Sequence, residues 1–277
     1  MLLSELTHQS LSKITLEKYS NSFVPYLYLD GHRSGSNGFS DSEGYKNGYM
    51  FFLRFGRILK QLGFKQMVTM VHTQRNFSSK ERIGTILKAI TNNFDDKNEF
   101  IKNSLFKIYG DIDSYKQNGY SDFYKFLLDI NNKPSMNQNF THHILINYSE
   151  EWALKNLQKI NCIPEISSVI RFTKGFVSGG WIPIKMQTTS FIYSQIPSIS
   201  EFWSDESITA LILISLNIWI TTKGFIGTKS YCQNEKEMIH QKRDLELCSD
   251  TVKLEIQCPM HNRIIAFGIN GPISYEF

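Results

Sequence analysis

Asp30, Gly31, His32 and Arg33 stand in a row at the end of the apolar run VPYLYLD (24–30). An acid at a strand end, followed by a small residue and by donors, can hold a metal-bound diphosphate. The amide N–H groups of the turn and the Arg33 guanidinium would satisfy phosphoryl oxygens. Asp-Gly is equally an ordinary turn dipeptide, so the tetrad alone leaves both readings open. A second segment with chemical potential runs from Thr173 to Gly180, where Lys174, Ser178 and glycines 175, 179 and 180 cluster. They would contact phosphate, shape a pocket or simply turn the chain.

These residues need elements to position them, and the hydrophobic pattern supplies an alternating series. The strand 24–30 is followed by a polar loop and then an aromatic helix from about Tyr45 to Leu62, closed by Gly63. QMVTMVH (66–72) reads as a second strand, and a helix begins at Ser79 with an imperfect Ser-x-x-Glu cap and runs to about Thr91. SLFKIYG (104–110), HHILINY (142–148) and SSVIRFT (167–173) read as further strands, with helices in YSDFYKFLLDI and EEWALKNLQKI. A Gly-rich loop, the stretch TSFIY (189–193) and a helix over Ile208–Ile220 follow. Near-continuous apolar strands alternating with helices predict an α/β fold: a single domain with a mostly parallel central sheet flanked by helices. In such sheets ligands bind beyond the carboxyl ends of the strands. Asp30–Ser34, His72–Phe77 and Thr173–Gly180 therefore share one rim. Of seven histidines, His32 and His72 fall on it; His142 and His143 begin a strand and read as packing or surface residues.

Composition narrows the class. The 277 residues are 41 % hydrophobic and 13 % aromatic, enough for a sizeable core, so wholesale disorder is excluded. A net charge of +4 without a Lys/Arg block gives no nucleic-acid footprint. The four cysteines show no zinc spacing, and the N-terminus lacks a basic region followed by an apolar one, so a cytoplasmic protein without a signal peptide is expected. The most apolar run, Ile208–Ile220, is too short for a transmembrane segment and reads as a buried helix. Residues 1–22 form a polar helical lead-in. The boundaries expected are a domain over 1–229 and a C-terminal extension over 230–277 packed on it.

LYLDGHR resembles the opening motif of the cis-prenyltransferase family, in which a strand ends in Asp-Gly-Asn-x-Arg-Trp. The likeness continues in order: EGYKNGYMFFLRFGRILKQLGFKQMVTMV resembles the next helix and strand, and VHTQRNF the Phe-Ser-Thr-Glu-Asn-Trp segment. There Thr73 and Asn76 are retained and Arg75 reads as an insertion. FKIYGDIDSY resembles the family's Ile-Gly-Asp strand end, and ILINYSEEWALKNL its Asn-Tyr-Gly-Gly-Arg segment. Five weak motifs in the right order, over roughly 24–225, make a fairly specific match. Departures cluster late. Where chain-elongating members carry Arg-Thr-Gly-Gly-Glu-x-Arg-x-Ser, this chain reads RFTKGFVSGGWIP. Counting back from Tyr193 puts Phe172, Phe176, Ser178 and Gly180 at the Arg, Glu, Arg and Ser positions. Arg171 fills the first place if the register slips by one, and the acid and second arginine have no replacement in either register. Tyr45 stands where a His is usual. This set of losses is similar to the tuberculosinyl transferase branch, which acts without isopentenyl diphosphate.

The resemblance implies an enzyme that ionises an allylic isoprenoid diphosphate, using Mg²⁺ and acting as a homodimer. Gly31, His32 and Arg33, with Thr73 and Asn76, would bind the diphosphate; Asp30 would ligate Mg²⁺ or accept a proton; Tyr45 would orient an acceptor or stabilise a cation. Tyr49, Phe52, Leu53, Arg57 and Ile58 recur near helical spacing and would line a cleft for the tail, or serve as ordinary core. The acceptor would be water, a small molecule or the chain itself, on cyclisation. Two alternatives compete: cis-polyprenyl elongation with isopentenyl diphosphate, and a non-catalytic partner subunit.

Overall fold

The computed structural model of the chain describes residues 13–30, 40–133, 139–172, 180–182, 184–186, 189–194, 196–227, 263–268 and 271–276. After helix α1 (Lys13–Tyr19) comes strand β1 (Pro25–Tyr28), then the long helix α2 (Asp41–Gln61) and β2 (Gln66–Thr73). A short α3 (Gln74–Phe77), α4 (Lys80–Asn93) and α5 (Glu99–Lys102) lead to β3 (Leu105–Tyr109). Then follow α6 (Asp113–Gln117), α7 (Ser121–Asn132), β4 (Thr141–Tyr148), α8 (Glu150–Lys155), α9 (Leu157–Asn161) and β5 (Ser168–Phe172). Strand β6 (Ser190–Ser194), a 3₁₀ turn (Ser200–Phe202), α10 (Asp205–Gly227), β7 (Arg263–Gly268) and β8 (Gly271–Glu276) complete it.

The strands form one sheet in the order β3-β4-β2-β1-β5-β6-β7-β8. β1 to β6 run parallel, while β7 and β8 add antiparallel to the β6 edge. Parallel strands need helical crossovers, and these cover both faces. One face carries the large core of Leu27, Phe51, Phe55, Leu59 and Phe172 under α2 and α10. The other buries Tyr26, Val68, Met70, Leu145 and Val169 under α8, α9 and Ile182. The helix expected over Ile208–Ile220 lies inside α10 and is largely buried, and among the described residues no helix is long and apolar enough to cross a membrane.

Local chemistry explains where the elements differ from the pattern. Helix α2 starts a turn before Tyr45 because Ser40 and Glu43 close a capping box: Ser40 Oγ accepts the Glu43 N–H at 3.3 Å and Glu43 Oε2 accepts the Ser40 N–H at 3.0 Å. EEWALKNLQKI, read as one helix, is two. The Asn156 side-chain amide donates to Trp152 O at 2.8 Å, and Asn156 leaves helical geometry at φ −123°, ψ 39°. TSFIY supplies a sixth parallel strand. At the rim, Gly110 sits at φ +135°, and a Cβ there would stand 1.7 Å from Ile146 O, so only glycine fits.

His72, His142 and His143 lie in the core. His72, expected on the rim, is buried, with one ring nitrogen against the Tyr115 hydroxyl and Nδ1 3.1 Å from Thr73 O. The surface alternative for His142 and His143 is overturned, since both are buried. Burial pushes His72 down to about 4, against a weaker upward pull from its bond to Thr73 O. Burial, with the Lys107 charge adding, pushes His143 down to about 3. An unfolded histidine titrates near 6.5, so these groups stabilise the fold fully above that pH. The contribution is lost as pH falls toward the folded values. Acidification from about pH 7 to about pH 5 is expected to withdraw about 2 kcal/mol per buried histidine. Urea unfolding at the two pH values measures this. His72→Gln should flatten the dependence, and a pH-independent wild type would contradict the assignment.

Candidate active site at the carboxyl rim of the sheet

Asp30 lies two residues beyond β1, and β5 runs parallel beside it with Tyr28 opposite Arg171. Arg171 Nε donates to Asp30 Oδ2 at 2.8 Å, and the guanidinium lies 3.9 Å from the centre of the Tyr28 ring. The Arg171 side chain is only 9 % exposed and that of Asp30 30 %. Burial raises the Asp30 carboxyl above its usual range, and the Arg171 charge and hydrogen bond oppose that rise. The main-chain oxygen of Asp30 accepts from Ser198 N (3.3 Å) and Ser198 Oγ (2.9 Å). Both the carboxylate and the backbone of Asp30 are thus fixed by residues far along the chain.

A second polar cluster lies beside this pair. Glu150 Oε1 accepts from the N–H groups of Gly180 (2.7 Å) and Trp181 (3.1 Å), the Tyr26 hydroxyl donates to Gly180 O (2.7 Å), and that of Tyr148 to Trp181 O (2.7 Å). Gly180 adopts φ +74°, and a Cβ would come within 2.2 Å of the Tyr28 ring. Burial, with the Asp30 charge next, pushes the Tyr28 hydroxyl up to about 12, so it stays protonated at neutral pH.

From the rim an apolar tunnel descends along the face of β2, β4 and β3, roofed by α2, α4 and α7. Counting its open mouth it encloses about 810 Å³, and Leu29, next to Asp30, is part of its wall. Tyr45, Gly48, Tyr49 and Phe52 line it from α2, at the i, i+3, i+4, i+7 spacing of one helix face. Ile144, in the middle of strand β4, is only partly buried and lines this space.

The structure sorts the expected site residues. Asp30 and Tyr45 stand at the rim end, and Tyr49 and Phe52 line the tunnel below Tyr45. Leu53 and Ile58 belong to the core instead, and Arg57 bonds Asp205 at 2.7 Å, so these three do not line it. Thr73 and Asn76 engage each other: Asn76 Oδ1 accepts the Thr73 N–H and hydroxyl, each at 3.1 Å. They cap α3 at the rim end of β2, leaving the Asn76 amide N–H groups as donors. Gly31, His32, Arg33, Lys174 and Ser178 lie outside the described residues. Phe172, one choice for the first cation position, is fully buried against Phe51 and Trp203, and Arg171 reaches Asp30 instead. Sequence reasoning offered Arg171 only as the alternative for the first cation position, and nothing local marked Glu150.

Among the described residues no three His, Cys, Asp or Glu side chains group as a metal cage. A single carboxylate suits Mg²⁺ that arrives on a diphosphate, since that ion takes one or two carboxylates plus phosphate oxygens. Asp30 is the donor that fits.

Removing one partner of a buried ion pair strands the other charge. Arg171→Met is expected to cost about 3 kcal/mol, with part recovered in the Asp30→Asn/Arg171→Met double variant. A double-mutant cycle in urea reads this coupling, and additive single losses would contradict it.

No family model matches the sequence, and no curated protein is similar to it. Solved structures are. Lavandulyl diphosphate synthase from Lavandula x intermedia, in complex with dimethylallyl diphosphate, superposes with a TM-score of 0.53 at 16 % identity, over 71 % of this chain and 94 % of that one. A probable undecaprenyl diphosphate synthase from Campylobacter jejuni gives 0.52 at 10 % identity, over 69 % and 93 %. At such identity the likeness is one of fold, and the chain has the cis-prenyltransferase fold.

Proposed function

We propose that this chain is an enzyme that ionises an allylic isoprenoid diphosphate, releases pyrophosphate and passes the prenyl cation to an acceptor other than isopentenyl diphosphate. The observation that carries this reading is the apolar tunnel whose wall includes Leu29, the chain neighbour of Asp30, which pairs with Arg171 at the carboxyl ends of parallel strands. A prenyl diphosphate is an apolar tail on a highly charged head, and the site has matching halves. The tunnel takes the tail out of water, which favours binding in proportion to the apolar area removed.

At the head, the C1–O bond breaks and its electron pair stays on the departing diphosphate. Arg171, held by Asp30 and Tyr28, stabilises that charge, and the turn amides of Gly31 and His32, with Arg33 and the Asn76 amide, add donors. Mg²⁺, held at Asp30, would supply further charge neutralisation on the leaving group. Asp30 alternatively takes the proton released by the acceptor. The Tyr45 ring, at the tunnel mouth, faces the allylic end and stabilises its cation or orients the acceptor. Lys174 and Ser178 would shape the remaining side of the pocket.

The tuberculosinyl transferase-like reading rests on the sequence: Arg171 takes the first cation position if the register slips by one, and the acid and the second arginine of chain-elongating members have no counterpart in either register. One arginine holds one diphosphate far better than two. We further infer a cytoplasmic homodimer, with residues 230–277 an extension of the domain over 1–229. The half-exposed Leu154, Leu157 and Trp181 offer apolar surface for such a dimer, and light scattering of the full chain reads its mass.

The test is incubation with Mg²⁺ and geranyl, farnesyl or geranylgeranyl diphosphate, each with and without isopentenyl diphosphate. Pyrophosphate and a new terpenoid should form without isopentenyl diphosphate. Asp30→Ala should abolish both, and Arg171→Ala should slow release by about 10²-fold or more. Longer products formed only with isopentenyl diphosphate would establish elongation instead. Binding without turnover under any condition would favour a partner subunit.

A further inference from the structure

One carboxylate at the rim is held in the way a bound anion would be. Glu150 opens α8 directly after β4. Its neighbour Glu151 turns outward and pairs with Lys155 at 2.6 Å. Glu150 turns inward, and its Oε1 accepts the successive N–H groups of Gly180 and Trp181 at 2.7 and 3.1 Å. Among the described residues no lysine, arginine or histidine pairs with it. The two donors are aimed by their own surroundings. Gly180 stands at φ +74°, a conformation that lets adjacent amides converge on one anion. The carbonyls of both residues are tied back by tyrosine hydroxyls, Gly180 O by Tyr26 and Trp181 O by Tyr148, each at 2.7 Å. These supports do not involve Glu150, so the N–H pair keeps its direction without it.

The donor pair adjoins the head site. A Cβ on Gly180 would come within 2.2 Å of the Tyr28 ring, and the same ring lies 3.9 Å from the Arg171 guanidinium. One aromatic ring therefore separates the Gly180 backbone from Arg171. The charges of Asp30, Arg171 and Glu150 all act on the Tyr28 hydroxyl.

We propose that the Gly180–Trp181 N–H pair is an anion subsite beside the diphosphate head, that Glu150 is its built-in occupant, and that Glu150 thereby restricts the acceptor to uncharged or cationic molecules. This rests on the allylic diphosphate reading above and names the class of acceptor. A second diphosphate entering beside the first would find both main-chain donors taken. It would meet the carboxylates of Asp30 and Glu150, with Arg171 already paired, and like charges in a partly buried site repel strongly. An uncharged hydroxyl or amine meets no such barrier, and a cation gains from Glu150. Glu150 is a specificity-determining residue that holds a place and a charge.

The test uses the full chain with Mg²⁺ and saturating farnesyl thiolodiphosphate, an unreactive analogue that fills the head site. Isopentenyl diphosphate, an anionic acceptor, is then titrated in and its affinity read by calorimetry. The wild type should bind it weakly. Glu150→Ala frees both N–H groups and removes the charge, and should bind it about tenfold tighter or more. Glu150→Gln removes the charge but keeps an oxygen for the N–H groups, and should fall between the two; it decides alone should Glu150→Ala unfold. A purely structural Glu150 would lower urea stability in Glu150→Ala and leave both variants at the wild-type affinity, which overturns the proposal. Wild-type binding as tight as that of Glu150→Ala overturns it as well. Both results leave the diphosphate reading intact. Failure of the wild type to bind the farnesyl analogue, read before isopentenyl diphosphate is added, overturns that reading and the proposal with it.

Discussion

The buried ion pair between Asp30 and Arg171 is the contact on which the rest of the site depends. It joins the ends of adjacent parallel strands, so each partner comes from an element whose position the sheet fixes. Taking two charges out of water is unfavourable, and the pair persists because each charge has more than one support. Arg171 stacks on Tyr28, and Asp30 is held through its own backbone by Ser198. Ser198 lies a short way before Ser200 and Asp205, which bind Arg54 of α2. The same segment therefore ties Asp30 to the helix that roofs the tunnel.

The tunnel follows from how the helices sit. α2, α4 and α7 each begin at the rim, where the strand before them ends, and run down the sheet. Where they pack closely, as at Phe51, Phe55 and Leu59, the space is core. Where Gly48 and Ala89 face the gap, small side chains leave it open. A polar end and an apolar shaft in one site suit a ligand built the same way.

Much of the fold was legible because parallel strands buried on both faces read as continuous apolar runs, and five of the six parallel strands lie where those runs do. The start of α2 was not, since Ser40 and Glu43 sit in a polar stretch that reads as loop until their reciprocal bonds are seen. Asp30 was legible from its place at a strand end. The ion pair of Arg171 was not legible, because its partner Asp30 lies 141 residues away and meets it only through the pairing of β1 with β5. Glu150 left no trace, because its partners are main-chain N–H groups thirty residues on. Tyr49 and Phe52 could be told from Leu53 and Ile58 only by the gap between helices, which no periodicity encodes.

The central claim is that the Asp30–Arg171 rim and the apolar tunnel are two halves of one ligand site. The most direct measurement is photolabelling of the full chain with a geranyl diphosphate analogue that carries a photoreactive group at the end of its tail. The account expects crosslinks in the peptides of α4, β3 and α7 that line the tunnel, suppressed by unlabelled farnesyl diphosphate and lost in Arg171→Ala. Labelling confined to other surfaces, or labelling indifferent to the competitor, would contradict it.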